Sequence, residues 1–214
     1  MPTRLLAITA AAILLAAPAT QAAPLGPDIA VMNIQIGNDR RNPKRVVIGL
    51  YDTTAPATVE NFKKLSQRNF YRGIRFHRVL PDTLVQTGDP FSRMHRLHSV
   101  FTDPQPARAG TGGPGYTLPA EIRAKPVRGS VAMGRLPDAI NPLRASNGSQ
   151  FFILLAPNPA LDGRYTVFGE VLEGLDVIEE ISRTPTNNND FPLQNIFIRS
   201  IMINPRSEAE NSRR

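Results

Sequence analysis

The chain has 214 residues, of which 41% are hydrophobic and 20% are charged. This length and composition are typical of one globular domain whose core needs no metal ion or disulfide for support. The chain has no cysteine, which excludes a thiol nucleophile and a disulfide framework. The formal net charge of +7 could attract nucleic acid or an anionic membrane. However, the basic residues are scattered and the phenylalanines follow apolar patterns, so we expect neither partner.

The first residues have the pattern of an export signal. Arg4 precedes an apolar run at residues 5–17, Pro18 ends the run, and small residues follow at 20–22. A run of this length is typical of a secretory signal peptide and is short for a membrane span. We therefore expect residues 1–22 to be a signal peptide and the mature protein to be periplasmic or secreted, without stable membrane association. An uncleaved membrane anchor is the alternative.

The chain then predicts a hairpin followed by a helix. Residues 30–36 and 45–51 alternate between apolar and polar side chains, as half-buried strands do. Residues 54–69 repeat apolar positions at helical spacing after Pro56, which is a favoured residue in a first helical turn.

Two further alternating runs, residues 74–79 and 84–86, flank Pro81 and Asp82 and predict a second hairpin. Successive residues of a strand point to opposite faces, so every second side chain of this hairpin should lie on one face. The residues expected on that common face are Phe76, Arg78, Leu84 and Gln86. The run at 150–155 should place Gln150 and Phe152 together in the same way.

The second half of the chain predicts more strands and one helix. The predicted strands are residues 130–135, 150–155, 164–171 and 194–203, and the predicted amphipathic helix is residues 174–183. Strands outnumber helices and no β-α-β alternation occurs, so we predict a mostly β, antiparallel domain with two α-helices, closed into a barrel. We expect this domain to cover residues 23–204 and residues 205–214 to form a disordered tail.

Three short motifs have simpler explanations than the functions they suggest. Residues 110–115 match a glycine-rich dinucleotide pattern, but no predicted strand precedes them and no helix follows, so a loop is favoured. His95 and His98 have no third ligand nearby, and we expect no metal site. Residues 147–149 form a glycosylation sequon that leads directly into an apolar strand, and a tight turn is the favoured interpretation.

Several segments occur together, in order, in one known family. These are FHRVLPDTLVQTGD, GTGGPGY, GSVAMGR, NGSQFFI and LDGRYTVFGEVLEGLDVIEEI. The chain resembles the cyclophilin family of peptidyl-prolyl cis-trans isomerases over residues 30–204. The resemblance implies a closed eight-stranded barrel capped by a helix at each end. It also implies a monomer without cofactor or metal, whose partners are proline-containing polypeptides.

The resemblance also implies roles for single residues. Arg78, Gln86 and Phe152 would be catalytic: Arg78 would donate to the prolyl nitrogen, Gln86 would help to fix Arg78, and Phe152 would form part of the proline pocket. The remaining residues implied at the substrate site are Phe76, His77, Leu84, Gly134, Arg135, Leu136, Gln150, Leu161 and Tyr165.

The sequence departs from the well-known family members around the implied pocket. Arg135 stands in place of asparagine, Tyr165 in place of histidine, and Ala160 in place of the tryptophan associated with cyclosporin binding. These changes should affect affinity and preference more than the reaction. The leading hypothesis is an exported prolyl isomerase that assists protein folding. The alternatives are a proline-peptide-binding chaperone or scaffold with little catalysis, and a binder of anionic surfaces.

Overall fold

The computed structural model describes residues 23–39, 41–93 and 108–207. In these ranges the chain forms eight β-strands and two α-helices. The strands are β1 (Asp28–Ile36), β2 (Lys44–Leu50), β3 (Arg78–Leu80), β4 (Leu84–Thr87), β5 (Ser130–Met133), β6 (Phe151–Leu154), β7 (Val167–Glu173) and β8 (Ile196–Pro205). The helices are α1 (Pro56–Gln67) and α2 (Leu175–Ser182). The expected signal peptide, His95 and His98 lie outside the described residues.

The strands form one antiparallel sheet in the order β3-β4-β6-β5-β7-β2-β1-β8. Its edge strands, β3 and β8, share no ladder, so the sheet is an open, curled half-barrel and the prediction of a closed barrel is wrong. β3 has only three residues, and the segment before it meets β8 through the single bridge Arg75–Phe197. Isolated backbone bonds, such as Gly73 N to Ile198 O at 2.8 Å, accompany that bridge.

The inner face of the sheet and the two helices enclose the main core. Val79, Val85, Ile153 and Val131 lie opposite one another on four neighbouring strands and are all fully buried. The predicted helices are confirmed, with α1 two residues shorter at each end than expected. Within the described residues neither helix is long and apolar enough to cross a membrane.

A distant carboxylate completes the start of α1. Ala55 precedes the helix and offers no side chain that could accept a hydrogen bond. Instead, Glu121 accepts hydrogen bonds from Ala57 N at 3.2 Å, Thr58 N at 2.9 Å and Thr58 Oγ1 at 2.8 Å. The first turn of a helix has free N–H groups and a positive partial charge, so a carboxylate is well suited to this position. Glu121 thereby connects the segment before β5 to α1.

β8 extends one residue into the predicted tail. Pro205 pairs with Asp28 on β1, and Arg206 N donates to Pro27 O at 2.8 Å. Residue 205 therefore belongs to the sheet, while residues 208–214 lie outside the described residues.

Candidate active site

One row of side chains crosses the outer face of the sheet, on the side turned away from the main core. Arg78 lies opposite Gln86, Gln86 opposite Phe152, and Phe152 opposite Ala132. Directly opposed residues of antiparallel strands point to the same face, so these four side chains are neighbours in line. The register of β3, β4 and β6 thus brings together the three residues implied to be catalytic.

Phe76 does not belong to this face, and its expected place beside Arg78 is wrong. It is 1% exposed and packs in the main core. Alternation fails because Phe76 N donates to Ile196 O at 3.0 Å, whereas His77 N donates to Gln86 O at 3.0 Å. The chain changes its pairing partner between these two residues, and β3 begins only at Arg78. Phe76 therefore supports the site from beneath and offers no surface to a substrate.

An apolar cluster, which we call the proline pocket after its implied role, adjoins the row at Phe152. Leu84 and Phe152 belong to an outer apolar cluster against which Leu161 and Tyr165 pack. The rings of Phe152 and Tyr165 meet edge to face, with centroids 5.4 Å apart and an interplanar angle of 87°. Leu161 ends a short 3₁₀ helix, Pro159–Leu161, whose first turn is capped by Asn158 through a 3.1 Å bond from Ala160 N. Four residues implied for the proline pocket are thus gathered in one cluster.

An amide network lies beside the pocket. Gln86 Nε2 donates to Gln150 Oε1 at 2.8 Å, and Gln150 Nε2 donates to Gly110 O at 3.0 Å and Gly112 O at 2.7 Å. Gln150 is only 3% exposed, so it orients Gln86 and ties the glycine-rich loop to the sheet. Gly134 N donates to Gln150 O at 2.8 Å, and Gly134 O accepts from Asn147 N at 2.8 Å.

Arg78 has a different partner from the one expected. Its Nε donates to Asp190 Oδ2 at 3.5 Å, whereas the amide of Gln86 is engaged with Gln150. The side chains of Arg78 and Asp190 are 47% and 42% exposed, so this ion pair is weak and open to solvent. Sequence reasoning missed Asp190, because a single carboxylate in a polar loop carries no local signal of its partner.

The side chain of Arg135 has several partners within the protein. Its side chain is 5% exposed, and the guanidinium lies 4.7 Å above the centre of the Tyr165 ring. Nε donates to Arg164 O at 2.7 Å, Nη1 donates to Leu136 O at 2.9 Å, and Nη1 lies 2.6 Å from Asp138 Oδ1. The side chain is therefore fully engaged in bracing Tyr165 and the adjacent loop. Leu136, by contrast, is 59% exposed.

His77 lies beneath the outer face. It is 5% exposed, and burial lowers the pKa of its imidazole to about 4, although the nearby Asp89 carboxylate acts in the opposite direction. The ring is thus neutral at ordinary pH. Asp89 accepts hydrogen bonds from Phe91 N at 2.7 Å and from Gly110 N. Because His77 is buried next to Asp89, which bonds to Gly110 N, it is placed to support the glycine-rich loop.

The two loop interpretations are confirmed. Asn147 Oδ1 accepts from Ser149 N at 3.4 Å and Gln150 N at 3.1 Å, which closes a tight turn. Gly148 has a φ of 98°, and an added Cβ would lie 2.6 Å from Tyr116 O, so glycine is required there. No helix follows residues 110–115, which excludes the dinucleotide fingerprint.

A cavity of about 400 Å³ continues the outer face past the amide network. Its walls come from both glutamines, the glycine-rich loop and the segment after β5, including Gln86, Gly110, Arg135, Leu136, Asn147 and Gln150. Gln86 belongs to both the row and the cavity, and Arg135 connects the cavity to Tyr165 of the proline pocket. We call the surface of pocket, row and cavity together the groove; it presents apolar side chains, the half-exposed guanidinium of Arg78 and several amide groups. Among the described residues there is no cluster of three or more His, Asp or Glu side chains that could hold a metal ion.

Comparison with known proteins agrees with this geometry. The profile of the cyclophilin type peptidyl-prolyl cis-trans isomerase/CLD family matches residues 31–203. This chain belongs to that family. The cyclophilin is 38% identical over 154 residues to peptidyl-prolyl cis-trans isomerase-like 1 of Emericella nidulans. The aligned region covers 71% of this chain and 83% of that protein. It is 41% identical over 141 residues to a probable peptidyl-prolyl cis-trans isomerase of Brucella suis. That alignment covers 64% of this chain and 66% of the Brucella protein.

Solved structures show the same fold. The cyclophilin type peptidyl-prolyl cis-trans isomerase of Cryptosporidium parvum matches with a TM-score of 0.67 and 23% identity, covering 84% of this cyclophilin and 98% of that chain. A second structure of that protein, determined in the presence of the dipeptide Ala-Pro, matches with a TM-score of 0.66. The protein is thus a cyclophilin type peptidyl-prolyl cis-trans isomerase.

Proposed function

We propose that this cyclophilin accelerates rotation about X-Pro bonds in exported proteins, with Arg78 as the group that stabilises the twisted amide. The observation that carries this proposal is the row of Arg78, Gln86 and Phe152 across one exposed face. Rotation about the bond has a barrier of about 18–20 kcal/mol because amide resonance is lost in the twisted state. No bond is broken, so the reaction needs neither a nucleophile nor a cofactor.

Arg78 supplies the interaction that distinguishes the twisted amide from the planar one. When resonance is lost, the lone pair of the prolyl nitrogen becomes a better hydrogen-bond acceptor. A guanidinium beside the proline ring donates to that nitrogen more strongly in the twisted state than in either planar isomer. Each ~1.4 kcal/mol of such preference gives a tenfold increase in rate. Because the pair with Asp190 is long and half-exposed, Arg78 can turn from this carboxylate to a bound substrate.

The apolar pocket holds the proline ring. Leu84, Phe152, Leu161 and Tyr165 supply apolar surface for the ring, and the guanidinium of Arg135 lies over the Tyr165 ring. These walls contact the ring in the cis, trans and twisted states alike. They therefore contribute to binding of all three states and only indirectly to the rate.

Gln86 and the edge of the cavity hold the peptide backbone. Gln86 donates one N–H to Gln150, which leaves its carbonyl oxygen and a second N–H for the substrate. Arg135 and Leu136 line the cavity, and their main-chain groups would meet an extended peptide. Gly134 holds this segment in place, since its N–H and its carbonyl are bonded to Gln150 and Asn147. Gln150 acts through Gln86, since it is itself buried.

The proposed location rests on residues 1–22, with their short apolar run after Arg4. We expect cleavage to leave a monomer that begins at Ala23 or Pro24 and has no stable membrane association. Intact-mass analysis of the protein exported from a bacterial host tests this directly. A mass that still includes Met1, or retention in the membrane fraction after a salt wash, would contradict it.

A refolding experiment separates catalysis from passive binding. The substrate is a small protein whose slow refolding phase is prolyl isomerisation, and the variants are the wild type and Arg78→Ala. A catalyst accelerates the slow phase at substoichiometric concentration, and the variant loses most of this effect. A chaperone or scaffold would instead act only near equimolar concentration and would be unaffected by the substitution.

A further inference from the structure

The loop between β5 and β6 exposes large apolar side chains. We call residues 136–145 the apolar loop. Leu136 is 59% exposed, Ile140 70% and Leu143 84%. Single exposed apolar residues are common on protein surfaces, but three within eight positions of one loop are a concentration that indicates an interaction site.

Local hydrogen bonds hold the apolar loop in a defined shape. Asn141 N donates to Pro137 O at 2.9 Å, and Arg144 N donates to Asn141 O at 2.9 Å. The side chain of Asn141 closes the end of the loop, since Nδ2 donates to Ala145 O at 2.8 Å and Oδ1 accepts from Ala145 N at 3.0 Å. The exposed leucines and isoleucine are thus presented on an ordered backbone.

Two arginines fasten the apolar loop to the rim of the proline pocket. Asp138 lies between them, 2.6 Å from Arg135 Nη1 and 3.1 Å from Arg144 Nη2. The same arginines donate to the turn before β7, Arg135 to Arg164 O at 2.7 Å and Arg144 Nη1 to Gly163 O at 2.7 Å. The loop and the turn that carries Tyr165 are therefore one connected unit.

The apolar loop is continuous with the substrate groove. Leu136 and Ile140 line the same cavity as Gln86 and Gln150. Asp138 pairs with both nearby arginines, and the side chain of Arg135 is buried. A polypeptide that leaves the groove on this side would therefore meet the exposed apolar side chains of the loop.

We propose that the apolar loop is a second contact surface for the polypeptide substrate and binds bulky apolar residues that flank the X-Pro bond. The inference rests on the proposed isomerase function and specifies its substrates as unfolded or partly folded chains. Such chains expose leucine, isoleucine and phenylalanine that folded proteins bury. Two contacts on one chain also raise the effective concentration of its proline at the groove.

The test compares two peptides of about fourteen residues, which can span roughly 45 Å when extended. Each has a central Ala-Pro bond, flanked on both sides by leucines in one peptide and by serines in the other. We expect the wild type to bind the leucine peptide about tenfold more tightly, as burial of a few methylene groups allows. Ile140→Ser/Leu143→Ser should remove most of this preference.

Three controls separate the possible outcomes. Exchange of an Ala-Pro tetrapeptide, measured by NMR, should stay within about twofold of wild type in the single variant Leu143→Ser, because Leu143 does not line the cavity and a short peptide does not reach it. If the wild type did not accelerate exchange of the tetrapeptide, that result would instead count against the isomerase function. Met202→Ser, which removes a half-exposed methionine on β8, should keep the leucine preference.

The inference is overturned if the wild type shows no leucine preference, or if the double variant retains it. It is also overturned if the double variant abolishes a concentration-dependent self-association seen by analytical ultracentrifugation, since the occupant of the apolar loop would then be a second copy of the chain. Binding to anionic lipid vesicles that depends on Ile140 and Leu143 would likewise contradict it.

Discussion

Arg135→Ala tests whether the buried arginine acts by positioning the proline pocket. The substitution removes two hydrogen bonds to backbone carbonyls, at 2.7 and 2.9 Å, and the contact with the Tyr165 ring. Hydrogen bonds from a charged donor are worth about 1.5–3 kcal/mol each, but Arg164 and Leu136 are exposed and their carbonyls would regain water. Together with the ring contact, we expect a loss of about 2–4 kcal/mol in the free energy of unfolding.

The catalytic effect should fall on binding. Without the guanidinium, the Tyr165 ring keeps its edge-to-face contact with Phe152 but loses the cation that covers its face, and the pocket wall becomes looser in all substrate states. We expect KM for an Ala-Pro peptide to rise about five- to twentyfold, while kcat changes by less than about threefold. Urea unfolding and NMR exchange on the same samples measure both effects. Arg123→Ala is the matched control, because the Arg123 side chain is exposed and, within the part of the chain that the structure describes, makes one long hydrogen bond, 3.4 Å to Thr54 O.

A fall in kcat with unchanged KM would refute this reasoning. It would mean that Arg135 acts on the twisted amide itself and not through Tyr165. Arg135→Lys gives a further check, since an ammonium keeps the charge but cannot reproduce the planar fork that joins Arg164 O and Leu136 O. Its KM should lie close to that of Arg135→Ala.

Three further predictions follow from individual side chains. Glu121→Ala leaves three donors at the start of α1 without their acceptor and should lower the free energy of unfolding by about 2–3 kcal/mol, with Glu121→Gln recovering part of the loss in urea titrations. Ala160 is exposed and offers no indole, so calorimetry should show weak cyclosporin binding that Ala160→Trp strengthens; tight binding by the unmodified protein would contradict this. Because burial lowers the pKa of His77 to about 4, the unfolded state binds more protons between pH 4 and 6.5, and stability should fall by about 2 kcal/mol from pH 7 to pH 5. His77→Gln should remove that fall, and an unchanged pH dependence in the variant would show that other groups cause it.

The outer face was largely predictable from sequence because its signals are local. The alternating side chains around Arg78, Gln86 and Phe152 follow from the geometry of single strands. The strand register then places the three residues directly opposite one another. The turn at residues 147–149 was predictable for the same reason, since Asn147 bonds to backbone groups two and three residues further on.

The failures concern contacts between residues far apart in the chain. Phe76 fits the alternating pattern of the sequence, but its backbone N–H bonds to Ile196 of β8, and its side chain consequently points into the core. Because the chain before β3 changes its pairing partner, it meets β8 through an isolated bridge and not a ladder. Composition and periodicity do not predict that the sheet stays open. The partners of Arg78 and of the α1 N-terminus, Asp190 and Glu121, are more than sixty residues away in each case.

Arg135 makes contacts that the sequence pattern could not reveal. Its position beside the groove follows from the family pattern, but a long side chain can bend back where asparagine cannot. Here it reaches Arg164 O and lies over the Tyr165 ring, so the guanidinium contacts another residue of the implied substrate site. The two departures from the well-known family members, at positions 135 and 165, are thus in direct contact.

The most direct test of the proposed mechanism compares Arg78→Ala with Phe152→Ala in one NMR experiment that yields both the exchange rate and the Kd of an Ala-Pro peptide. If Arg78 stabilises the twisted amide, Arg78→Ala should reduce kcat/KM by about thirty- to a thousandfold with less than about threefold change in Kd. Phe152→Ala should weaken Kd for both isomers, because it removes a wall that all states share. An Arg78→Ala protein with near-normal exchange would contradict the mechanism and place catalysis elsewhere in the groove.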